Sequence, residues 1–169
     1  MKFDMRKIRK LWLIGMLLFL SLQVSGQSVE MMDFASFEKR MKKESDTLFV
    51  YNFWATWCKP CVEELPYFDQ LNETYKAQKV KVVLVSLDGP KFFESMLIPF
   101  VQKRNVGSDV ILLNAPDYDS WMGKISEEWS GALPGTLLKR NSDIHLFKEQ
   151  SFSYETLSEW VDSVLAISN

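Results

Sequence analysis

Two apolar runs rich in β-formers, separated by a helix-patterned segment, constrain this chain most. Residues 47–53 (Thr-Leu-Phe-Val-Tyr-Asn-Phe) and 80–87 (Val-Lys-Val-Val-Leu-Val-Ser-Leu) read as buried strands. The segment between them, residues 59–76, reads as a helix with Val62, Leu65, Phe68, Leu71 and Tyr75 on its core face and a kink expected at Pro66. Upstream, residues 32–43 place Phe34, Phe37 and Met41 at helical spacing, with Asp33 as N-cap. Downstream, residues 92–104 suggest a helix interrupted by Pro99, residues 110–113 a short strand and residues 119–129 a short helix. A breaker cluster, Gly131-Ala-Leu-Pro-Gly135, precedes a hairpin of residues 136–139 and 144–148 around Arg140-Asn-Ser-Asp143. Residues 153–167 close the chain as an amphipathic helix with Leu157, Trp160, Val161, Val164 and Leu165 facing inward. This order predicts an α/β sandwich, a central mixed β-sheet flanked by helices.

Composition narrows the function classes. With 169 residues, 47% hydrophobic and 25% charged, the chain is globular in character. Five basic residues against one acid lie in residues 1–26, so the remainder carries a net charge of −6. An acidic body without a basic stripe argues against nucleic-acid binding. One histidine and two cysteines exclude a conventional zinc cluster built from this chain alone.

The first 26 residues read as an address. Residues 2–10 are basic, residues 11–20 are an unbroken apolar run, and Val24-Ser25-Gly26 supplies small residues for cleavage. The apolar run falls short of the roughly 20 residues of a bilayer span. Residues 1–26 are therefore expected to be a secretory signal, or a membrane anchor if retained. Residues 27–169 are expected to fold as one domain in the periplasm or cell envelope.

The chemistry centres on Cys58-Lys59-Pro60-Cys61, at a strand-to-helix junction. In an exported protein such a pair is either a structural bridge or a redox pair. A bridge across two residues removes little chain entropy from the unfolded state, which favours redox exchange. Cys58, at the helix N-terminus, is expected to be the nucleophile, because free N–H groups and the helix dipole stabilise a thiolate. Cys61, one turn further in, is expected to resolve the mixed disulfide. Lys59 adds a positive charge beside Cys58, unless it is simply solvated, and Pro60 suits the first turn of a helix.

Phe53-Trp-Ala-Thr-Trp-Cys-Lys-Pro-Cys61, Glu63-Glu-Leu-Pro66 and Leu133-Pro-Gly-Thr136 resemble the thioredoxin superfamily, closest to the TlpA/ResA-like extracytoplasmic thiol–disulfide oxidoreductases. The resemblance covers residues 45–169. It implies a thioredoxin-like three-layer sandwich and a cis-proline at Pro134 facing the cysteines, with the backbone of Leu133 binding substrate. Gly135 departs from the threonine or serine common after that proline. Asn52 stands where cytosolic thioredoxins carry a buried aspartate, and an amide is no proton carrier. The resemblance offers Glu64 instead as the proton-transfer group, although Glu63 and Glu64 also suit a solvated helix face. Trp57 is expected beside Cys58 as a lid and Trp54 in the core, while Trp121 and Trp129 either line a groove or pack.

The resulting expectation is an enzyme, a disulfide reductase of exported proteins. Its redox-active Cys58–Cys61 pair needs no other cofactor, and Lys-Pro lacks the histidine of strongly oxidising relatives. Its partners are cysteine-containing exported proteins and a membrane electron donor, and it is expected to be a monomer. The alternatives are an oxidase or isomerase, and a copper carrier using Cys58, Cys61 and His145. A structural role for His145 is the plainer expectation.

Overall fold

A computed structural model describes residues 29–167. The elements are β1 (Val29–Met32), α1 (Phe34–Met41), β2 (Leu48–Trp54), α2 (Lys59–Thr74), β3 (Val80–Ser86), α3 (Ile98–Arg104), β4 (Asp109–Leu113), α4 (Met122–Ile125), β5 (Gly135–Arg140), β6 (Ile144–Lys148) and α5 (Tyr154–Ile167). One six-stranded sheet runs in the order β1-β4-β3-β2-β5-β6. The first four strands in this order are parallel, and β5 and β6 complete the sheet antiparallel. The mixed sheet expected from the sequence is the one observed.

The continuity of the two apolar runs has a direct cause. Helices cover both faces of β2 and β3, so successive side chains enter different cores and neither face needs polar residues. Val50, Trp54, Val82 and Leu84 pack with Leu65, Phe68 and Leu71 of α2, Val101 of α3 and Leu157, Val161 and Val164 of α5. Tyr51, Phe53, Val83 and Val85 pack on the other face with Phe37 of α1, Ile125 of α4, Trp121 and Trp129. This is the expected three-layer sandwich.

Several boundaries differ from the sequence reading. The helix read from residue 32 begins at Phe34, where Asp33 caps it by accepting a 2.8 Å bond from the Ser36 amide. Met32 belongs instead to β1, an edge strand paired to β4 whose half-exposed residues carry no apolar pattern. The segment read as one helix over 92–104 is a 3-10 turn, a π-turn and then α3. Pro99 lies in the first turn of α3, directly after the π-turn. Around 119–129 only one turn of 3-10 helix and the single turn of α4 form, leaving Trp129 outside. Helix α2 runs through Pro66 as one element. Among the described residues no helix is long and apolar enough to cross a membrane; the signal expected over residues 1–26 lies outside them.

Candidate active site

Strand β2 delivers the chain to a tight turn over residues 55–58, closed by the Cys58 amide donating to the Ala55 carbonyl at 3.1 Å. Cys58 is the N-cap of α2, and its sulfur accepts the Cys61 amide at 3.4 Å. A thiolate there would gain that bond and the positive end of the helix dipole. The two cysteines form a disulfide, with 2.02 Å between sulfurs and 5.3 Å between Cα atoms. Cys58 keeps 6% exposure and Cys61 none, so an incoming partner meets Cys58 first. Pro60 occupies the first turn of α2, as its geometry favours. Trp57 beside Cys58 is 70% exposed. Lys59 reaches Glu63 at 3.7 Å in an exposed pair, a contact of small energetic weight.

Glu63 is exposed but Glu64 is not, so the reading of both as a solvated face fails for Glu64. Its side chain turns inward on the same face of α2 as Cys61 and Leu65. Its Oε1 accepts from Asn52 Nδ2 at 3.0 Å, and its Oε2 accepts from the Phe152 amide at 2.8 Å. Burial pushes its pKa up to about 7, against the lowering pull of these two bonds. Asn52 Nδ2 also donates to Thr136 Oγ1 at 3.2 Å, while its Oδ1 is buried with no partner. The sequence does not reveal Asn52, Thr136 and Phe152 as partners in this cluster. Phe152 contributes only a backbone N–H, which leaves no mark in a sequence.

The Leu133–Pro134 peptide is cis. Gly135, the next residue, pairs with Phe53 near the end of β2, placing the cis bond at the end of the sheet from which the 55–58 turn departs. Pro134 is buried, and Leu133 is half-buried between the two cores. The departure at Gly135 has a steric reason: a Cβ there would lie 2.8 Å from Phe147 Cζ and 3.5 Å from Trp129 Cε2. Trp129 packs between Phe53 and Phe147, and its Nε1 donates to the Ala132 carbonyl at 2.9 Å, anchoring the loop before the cis bond. Trp121 is buried and donates to Ala115. Both tryptophans therefore pack, as does Trp54.

His145 does not join the cysteines. It pairs with Lys139, which pairs with Phe49 at the opposite end of β2, and its Nε2 donates to the Ile125 carbonyl at 2.7 Å. Among the described residues no group of three or more histidine, cysteine or acidic side chains is arranged to hold a metal.

Comparison with known proteins agrees with this geometry. The family model described as AhpC/TSA matches residues 23–138. The thiol-disulfide oxidoreductase ResA of Oceanobacillus iheyensis is 30% identical over 115 residues, 67% of this chain and 55% of that protein. ResA of Geobacillus kaustophilus is 50% identical over 40 residues, 24% of this chain and 23% of its own length. The chain thus spans about half of the first relative and less than a quarter of the second. Among solved structures, StoA from Bacillus subtilis superposes with a TM-score of 0.54 at 24% identity, covering 70% of this chain and 84% of that one. A thioredoxin family thiol:disulfide interchange protein from Chlorobium tepidum gives 0.59 at 15% identity, covering 76% and 84%. The fold is thioredoxin-like, and the chain belongs to the AhpC/TSA family.

Proposed function

We propose that the protein is an extracytoplasmic thiol–disulfide oxidoreductase that reduces disulfides in other exported proteins. The observation that carries this reading is the Cys58–Cys61 disulfide at the N-terminus of α2, in which Cys58 keeps a little exposure and Cys61 none. The names of the ResA relatives support the reaction class. The basic and apolar leader in the sequence supports export.

In the proposed cycle the Cys58 thiolate attacks one sulfur of a substrate disulfide, and the other sulfur leaves as a thiolate that takes a proton. Glu64 accepts the proton of the Cys61 thiol. Cys61 then attacks the Cys58 sulfur, the mixed disulfide breaks, and the reduced substrate departs. Two electrons have passed to the substrate and the Cys58–Cys61 bond has re-formed. A thiol donor at the membrane restores the dithiol. Trp57, Lys59, Pro60, Leu133 and Pro134 frame the pair and bind the substrate chain. A copper-carrier reading built on His145 finds no support in the placement of that residue.

The division of labour is tested by trapping. Reduced Cys61→Ser protein, offered a disulfide-containing protein, should accumulate a mixed disulfide at Cys58, and Cys58→Ser should not. Accumulation through Cys61 in the Cys58→Ser variant would reverse the roles.

A further inference from the structure

Asp88 takes no part in the cycle above, yet its carboxylate is buried at 2% exposure in the turn leaving β3. Its Oδ1 accepts the Thr56 hydroxyl at 2.7 Å, and its Oδ2 accepts the Thr56 amide at 3.1 Å and the Ser86 hydroxyl at 2.7 Å. The Asp88 amide in turn donates to Ser86 Oγ at 3.1 Å. The Thr56 hydroxyl also lies 3.2 Å from Met96 Sδ, but its one proton goes to the nearer carboxylate oxygen. The Leu87 amide donates to the Trp54 carbonyl at 2.8 Å, extending the β2–β3 ladder up to this clamp. No cation pairs with Asp88 among the described ion pairs. Its partners are neutral donors, and the segment it grips runs directly into Cys58.

We propose that Asp88 is a positioning residue that fixes the 55–58 turn and whose buried charge biases the Cys58–Cys61 pair toward the disulfide. A negative charge in a poorly hydrated site disfavours a second one nearby. It therefore opposes the stabilisation that the α2 N-terminus gives a Cys58 thiolate. A less stable thiolate makes the dithiol less stable and the pair more reducing. Of the ionisable groups next to the cysteines on α2, Lys59 and Glu63 are exposed and pair with each other, so they screen this field weakly, while the buried Glu64 is the same in the parent and in the variants tested below. The inference rests on the reading of the cysteines as an exchanging pair.

The test equilibrates the purified full chain with glutathione and glutathione disulfide, and trapped free thiols are counted. Two glutathione thiols reduce the pair to the dithiol, giving one glutathione disulfide. Asp88→Asn removes the charge and keeps an oxygen for Thr56, so the equilibrium should move about tenfold toward the dithiol, which is about 30 mV for this two-electron couple. Asp88→Ser removes the charge in a smaller side chain that keeps a hydroxyl for Thr56, and should move it at least twofold the same way. A shift below twofold in Asp88→Asn, or the absence of a shift toward the dithiol in Asp88→Ser, overturns the inference. Should Asp88→Asn not fold, Asp88→Ser decides alone. A parent protein that never exchanges with glutathione would instead overturn the oxidoreductase reading itself.

Discussion

Glu64 couples proton binding to both stability and exchange. Its folded-state pKa of about 7 lies above the 4.5 of the free side chain, so the folded protein holds the proton more tightly than the unfolded one. Its contribution to stability is therefore fully present below pH 4.5 and is lost as pH rises through 7. The whole change is of order 3 kcal/mol. Urea unfolding at pH 4.5 and at pH 8 should show the parent losing more stability over this interval than Glu64→Gln, by about that amount. Parallel profiles would contradict the assignment. In the proposed cycle the same variant should slow resolution of the mixed disulfide about 10- to 100-fold and remove an inflection near neutrality from its pH–rate profile. An unchanged profile would take Glu64 out of the chemistry. The position of Glu64, three residues after Cys61, was legible in the sequence. Its burial was not, because that depends on Asn52 twelve residues upstream and on the Phe152 amide 88 residues downstream.

At the scale of elements, the hairpin of β5 and β6 shapes the cis-proline loop by excluding a side chain at its first residue. Gly135→Ala would press a methyl group into the Phe147 ring, so it should cost about 1–3 kcal/mol in unfolding free energy. Pairing it with Phe147→Leu, which shortens the intruding side chain, should recover part of that loss, and a double-mutant cycle measures the coupling. Additive losses would show that Phe147 is not what keeps position 135 bare. The hairpin itself was readable from its turn residues, with Asn141 taking the positive φ of 45° that the reversal needs. Its packing against Trp129 was not, since Trp129 reaches it from an irregular segment. Strand β1 was missed for a related reason. It pairs by backbone at the sheet edge, and its half-exposed side chains leave no periodicity to read.

For the molecule as a whole, the two apolar runs, taken with the order of helix-patterned segments around them, were enough to predict a sheet flanked by helices, because strands buried on both faces need few polar residues. Strand order was less legible: β1 joins β4 at one edge through a crossover that composition does not announce. The same architecture brings the end of β2, the start of α2, the turn after β3 and the cis-proline loop to one end of the sheet's central strands. The cysteine pair stands among them. The reduction potential of Cys58–Cys61, from equilibration in defined thiol buffers and alkylation of free cysteines, tests the proposed function most directly. The account predicts a value near or below about −230 mV, on the thioredoxin side of the range. A value of about −150 mV or higher would contradict it and make the protein an oxidant or isomerase.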